Sequence, residues 1–118
     1  MKLITAIVQP AKLDELIGTV IDSKAYGMTV TEVRGFGRQY GHRPGDAAMT
    51  VAQLDDPKSA LLPKVRLDLV VLDDDVESIV AAIAKHARTG AVGDGKIWVT
   101  PVDGAMRVRT GERGSEAL

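Results

Sequence analysis

The sequence predicts a single α+β domain, with two helices lying on one face of a four-stranded antiparallel sheet in the order βαββαβ. Three observations carry this expectation. The chain has 118 residues, the size of one domain, and 45% of them are hydrophobic, enough to bury a core. Two stretches repeat apolar residues at helical spacing. Four stretches rich in branched residues lie around them at strand length.

Residues 3–8 alternate loosely and are rich in branched side chains, which predicts a strand, and Pro10 ends it because proline cannot donate to a ladder. Leu13, Leu16, Ile17, Val20 and Ile21 then recur at i, i+3, i+4, i+7 and i+8, the pattern of a helix with one buried face. Ala25, Tyr26 and Gly27 turn the chain into a second strand over 28–36, where Val30 and Val33 are branched and Thr29 and Thr31 suit a pleated surface. Residues 37–58 show no apolar period and are studded with proline, glycine and aspartate. A loop this long within a compact domain is either functional or disordered. A third strand is predicted over 65–72. A second helix follows, built on Val76, Ile79, Val80, Ile83, Ala84 and Ala87. Asp73, Asp74 and Asp75 are expected to cap its start, Lys85, His86 and Arg88 to suit its end, and Gly90 to stop it. A fourth strand over 96–102 and a short extended piece over 106–108 complete the chain. This order is the ferredoxin-like arrangement, one domain over 1–118 with a C-terminal extension over about 103–118. One sheet face is left without helices, and a homo-oligomer is the simplest cover for its apolar residues.

Composition excludes several classes. Fifteen Lys and Arg balance sixteen Asp and Glu, a net charge of −1, which argues against bulk electrostatic binding of nucleic acid. Only four aromatic residues occur, too few for a base-stacking surface. The absence of cysteine removes disulfides and thiolate metal sites. No apolar run approaches membrane-spanning length, and the opening residues read as a strand rather than a signal peptide, so a cytoplasmic protein is expected.

Three corners place glycines beside cations: GFGRQYGH (35–42), TGAVGDGKI (89–97) and RVRTGERG (107–114). Glycine permits close approach of the backbone to a ligand, and backbone amides with cations suit phosphate. Each has a plainer reading. Gly93, Asp94, Gly95 and Lys96 could be only a helix-to-strand turn, and the spacing of a P-loop is absent. Arg107 and Arg109, alternating on a short strand, would project from one face as a phosphate clamp or as a solvated edge. Arg38, Gln39 and Lys64 could be surface residues. His42 and His86 do not form a metal-spaced pair, and Trp98 reads as core or interface.

These motifs, with MKLITAIVQP at the start and LLPKVRLDLVV before the second helix, occur in an order that resembles the PII signal-transduction proteins of nitrogen regulation across nearly the whole chain. The resemblance implies a homotrimer with sheets facing inward and ATP or ADP in clefts between subunits. It implies nucleotide contacts from Thr29, Gly35, Phe36, Gly37, Arg38, Gln39, Gly93, Asp94, Gly95, Lys96, Arg107 and Arg109. It further implies 2-oxoglutarate, bound with Mg-ATP by Gln39, Tyr40, Gly41, Lys64 and Gly93, with the Gln39 amide oxygen as a Mg²⁺ ligand. The loop over about 37–60 corresponds to the partner-docking T-loop. The implied partners are an ammonium channel, another transporter or a metabolic enzyme, with the membrane reached only through such a partner.

The loop departs from the family pattern. RPGDAAMTVAQLDDPKSALLPK (43–64) contains no tyrosine, whereas the family commonly carries a modified one at the tip, so no modification site is expected; Tyr40 lies at the loop base. Gln9 and Ala11 also stand where the family often has lysine and phenylalanine. The altered loop leaves open a sensor of another small anion or nucleotide that controls a transporter or a carbon-metabolism partner. A phosphohydrolase lacks an obvious nucleophile–base pair here, and an RNA binder is disfavoured by charge and aromatic content.

Overall fold

The computed structural model describes residues 1–23, 25–38 and 56–118. Strand β1 (Lys2–Val8) passes through a 3-10 turn at Pro10–Lys12 into α1 (Leu13–Asp22). Strands β2 (Thr29–Gly35) and β3 (Leu62–Val71), helix α2 (Val76–Ala87) and strand β4 (Gly95–Pro101) follow. The sheet order is β2-β3-β1-β4, and every neighbouring pair is antiparallel. The fold is the expected ferredoxin-like α+β sandwich, with β1 and β3 central and β2 and β4 at the edges.

Alternation along the central strands decides which face is dry. Ile4, Ala6 and Val8 of β1 lie opposite Leu69, Leu67 and Val65 of β3, so all six share one face, and all are buried. Leu16 and Val20 of α1 and Ile79, Ile83 and Ala87 of α2 close over them as one core. Burying a side chain of this size contributes roughly 1.5–3 kcal/mol, which is why the helical spacing of these residues dominates the local preferences around them.

The opposite face carries no helix, and it is not simply apolar. Leu3, Ile7, Val33 and Val70 lie on it, but its centre is a polar network. The Thr5 hydroxyl donates to Asp68 Oδ1 at 2.8 Å, and Arg66 donates from Nε to Asp68 Oδ2 at 2.9 Å. Burial pushes the Asp68 carboxyl up, but the bonds from Arg66 and Thr5 outweigh it and hold the group below its usual range. Arg66 and Asp68, the charges at the centre of this face, therefore neutralise each other within one chain.

Several local expectations are corrected. Strand β3 starts at Leu62, three residues before the predicted start, because Gly35, Arg34 and Val33 of β2 pair with Leu62, Pro63 and Lys64. β1 pairs with β3 only as far as Val65, so Pro63 lies where β3 has no partner on that side and its missing N–H is tolerated. The long loop ends in an ordered 3-10 turn at Pro57–Ala60, where Asp56 Oδ1 accepts from the Lys58 amide at 3.0 Å. Asp73–Asp75 form a 3-10 turn ahead of α2, and Asp75 at the N-cap makes no side-chain cap bond. His86 does more than suit the helix end: its Nδ1–H donates to Glu15 Oε1 at 2.7 Å and ties α2 to α1. Helix α2 ends because Arg88 turns extended (ψ 130), while Gly90 (φ 87) belongs to the next loop. Among the described residues no helix is long and apolar enough to cross a membrane.

Gly95 is a position where glycine is required. Its φ is +106, and a Cβ there would lie 1.7 Å from the Ile7 carbonyl oxygen. Gly95→Ala is expected to destabilise the domain by about 2–4 kcal/mol through strain and overpacking. Gly104→Ala, with nothing within 4 Å, should stay within about 0.5 kcal/mol. Urea denaturation of the two variants measures the difference, and equal stabilities would contradict the close approach of β4 to β1.

Candidate functional site

A cleft of 510 Å³ opens on the helix-free face at the root of the long loop. Each wall comes from a different element. β1 contributes Ile7, the chain leaving β2 contributes Gly35, Phe36, Gly37 and Arg38, and β3 contributes Lys64. Gly93 comes from the loop after α2, and Gly95, Lys96 and Trp98 from β4. Strand pairing explains the grouping. Ile7 lies opposite Lys96 on one side, and Val33 lies opposite Lys64. Residues opposed in an antiparallel pair share a face, and Trp98, two residues beyond Lys96, joins them.

Lys64 is 7% exposed, a buried cation on the cleft wall. Its Nζ donates to the Gly93 carbonyl oxygen at 2.9 Å. Burial pushes its pKa down, and the nearby Asp94 carboxylate partly opposes that. The loop that carries Gly93 is braced from within. Asp94 accepts from the Thr89 amide at 2.8 Å, from the Gly90 amide at 2.9 Å and from the Thr89 hydroxyl. The Thr89 hydroxyl bond, with the two amides, holds the Asp94 carboxyl below its usual range against a smaller effect of burial. Gly93 (φ 102) and Gly95 (φ 106) occupy the left-handed region that only glycine tolerates without strain.

The cleft thus gathers Arg38, Lys64 and Lys96 around a backbone corner. The adjoining Asp94 carboxylate is already bonded to the loop. Such a site suits an anion of phosphate or carboxylate type. Ile7, Phe36 and Trp98 add apolar wall for a ligand that is not purely ionic.

Not all of the expected residues meet here. Gly35, Phe36, Gly37, Arg38, Lys64, Gly93, Gly95 and Lys96 line the cleft, and Asp94 serves the loop behind it. Thr29, Arg107 and Arg109 do not line it. Gln39, Tyr40 and Gly41 lie outside the described residues. The strand alternation expected for Arg107 and Arg109 does not hold. Residues 105–114 form a tight hairpin bridged at Met106 and Arg113, and Arg109 falls in its turn. The Arg107 guanidinium donates to Glu112 Oε1 at 3.0 Å and to the backbone oxygen of Leu118 at 2.6 Å. Ile7 and Trp98 are the lining residues that the sequence reading did not include. The period-two alternation from Lys96 was the signal for Trp98.

Comparison with known proteins bears on this geometry. The family model for nitrogen regulatory protein P-II matches residues 1–112. The chain belongs to the P-II family. It is 45% identical over 118 residues to the nitrogen regulatory protein P-II of Cereibacter sphaeroides, covering all of both chains. It is 44% identical to nitrogen regulatory protein P-II 2 of Methanothermobacter thermautotrophicus, covering all of this chain and 97% of the relative. It is 44% identical to the P-II protein of Azospirillum brasilense, again over the full length of both. As a member of the P-II family it is a regulatory protein, not an enzyme.

The Asp94 brace gives a pH prediction for this P-II domain. A carboxyl held below its unfolded pKa contributes stability that is fully present above the unfolded value and is lost as pH falls through the folded one. Asp94→Asn should therefore lower stability at neutral pH and remove part of the acid dependence of unfolding. Thermal melts of both proteins from neutral to acid pH check this, and parallel curves would contradict the brace.

Proposed function

We propose that this P-II protein binds ATP and ADP in clefts between the subunits of a cytoplasmic homotrimer. With Mg-ATP in place it also binds 2-oxoglutarate. The ligand state is passed through the loop over about 37–60 to a partner in nitrogen metabolism, such as an ammonium channel, another transporter or a metabolic enzyme. The observation that carries this reading is the grouping of Arg38, Lys64 and Lys96 with the Gly93 and Gly95 backbone in one cleft where the long loop begins. A ligand can shift a loop only if it binds one loop state better than another. ATP and ADP differ by one phosphoryl group, and the loop root at Gly37 and Arg38 lines the cleft that receives their charge.

The split of the expected residues supports a shared site. Thr29 on the edge strand β2 and the hairpin arginines Arg107 and Arg109 lie away from the cleft of their own chain, as residues serving a neighbouring copy would. Magnesium, when bound, would take oxygens from phosphate, 2-oxoglutarate and the Gln39 amide.

A second reading, a P-II protein tuned to another small anion or nucleotide, is favoured by the tyrosine-free sequence of residues 43–64. One titration separates the two. Trp98, the only tryptophan in the chain, lines the cleft, so its fluorescence is expected to respond to ligand. In wild-type protein with Mg-ATP, 2-oxoglutarate should bind and tighten ATP by the factor by which ATP tightens it. Lys96→Ala should weaken ATP by about 1–3 kcal/mol, the scale of hydrogen bonds to charged groups. ATP binding without any response to 2-oxoglutarate would favour the second reading. Unchanged ATP affinity in folded Lys96→Ala would remove the phosphate from this cleft. Light scattering should report a trimer, and a monomer would contradict the shared cleft.

A further inference from the structure

Lys64 and Gly93 are 29 residues apart, and their bond spans the cleft wall from β3 to the loop between α2 and β4. The loop's internal bonds set its shape but do not tie it to β3. Gly90, Gly93 and Gly95 all sit at positive φ, and glycines give a segment many alternatives in the absence of outside restraint. Asp94 sets the curvature of the loop by collecting the Thr89 and Gly90 amides, but those bonds run within the loop. The Lys64 bond is of a different kind, because it fixes where the loop sits relative to the sheet. It also places an ammonium in a buried position against a neutral carbonyl, an arrangement with an intrinsic desolvation cost. A lysine needed only to attract an anion could do so from the rim, as an exposed side chain on the end of its long stem.

We infer that Lys64 is a positioning residue as well as a charge: its grip on the Gly93 carbonyl holds the glycine corner against β3 before any ligand arrives. The ligand then meets a corner already in place and does not bear the cost of ordering it. Loss of Lys64 should therefore weaken ligands that touch the corner, even where they make no contact with the ammonium. This deepens the proposed function, on which only its ligand arm rests.

The test begins without ligand. Amide hydrogen exchange of residues 90–95 is measured in wild type, Lys64→Met and Lys64→Arg. Methionine keeps the stem and removes the donor, and arginine keeps a cationic donor. Exchange in Lys64→Met should rise roughly tenfold or more, the scale of a lost charge-assisted bond, while β1 and β3 stay protected; Lys64→Arg should recover most of the protection. ATP affinity is then measured in Lys64→Met, in Gly93→Ala and in the double variant. If both act through the same corner, the double loss should be smaller than the product of the single losses. Unchanged exchange in free Lys64→Met overturns the inference and leaves Lys64 as a charge alone, as does full multiplicativity of the two affinity losses. Faster exchange in Lys64→Met together with no ATP binding to wild type would uphold the positioning role and reject the proposed ligand.

Discussion

Strand β4 begins against β1 at a distance that leaves no room for a side chain. Gly95 lies opposite Val8, and its Cα faces the Ile7 carbonyl so closely that a methyl group could not be inserted. The cleft depends on this approach. It seats Lys96 opposite Ile7 on the helix-free face. It also brings the end of the α2–β4 loop over β3, where Gly93 meets Lys64. Two further left-handed glycines and the Asp94 brace let the loop reverse within a few residues of the helix end. Lys64 and Lys96, on two separate strands, are thus brought to one corner by a backbone contact and a side-chain bond.

The helix-free face places the cleft in a larger setting. Its central Thr5–Asp68–Arg66 network is satisfied within one chain. A centre that neutralises its own charges can meet another copy without leaving the Arg66–Asp68 pair buried and unmatched, the outcome that costs most at an interface. The edge strands β2 and β4 lie at opposite sides of the sheet, one carrying Thr29 and the other Lys96. A neighbour that brought a β2 edge and a hairpin toward a β4 edge would add Thr29 and Arg109 to Lys96. Within one chain, Thr29 and Arg109 do not line the cleft that holds Lys96.

Much of the fold was legible because its signals are local. The helical spacing of Leu13 to Ile21 and of Val76 to Ala87 leads to the observed helices, and the branched runs lead to the four strands. Most errors arose where a distant partner decides. The early start of β3 at Leu62 is set by β2, and the bond of His86 is set by Glu15, 71 residues away. Arg109 reads as part of an alternating strand, but Gly111 donates its amide to the Arg107 oxygen at 2.8 Å and folds the segment into a turn. Of the site, the glycines and cations were legible as chemistry. Their grouping was not, since Lys64 and Lys96 are neighbours only through strand register. Alternation puts Trp98 on the same face as Lys96, but only the pairing with β1 shows that this face lines the cleft.

The central claim is that each chain supplies only part of the site. It is tested most directly by mixing two defective proteins: Lys96→Ala, altered on the cleft wall, and Arg109→Ala, altered in the exposed hairpin turn. Each variant alone should bind ATP weakly. After co-unfolding and refolding together, the mixed oligomers should recover tight binding in those clefts that pair an intact wall with an intact hairpin. Binding by the mixture that equals the average of the two separate variants would contradict a shared site and place the whole of it within one chain.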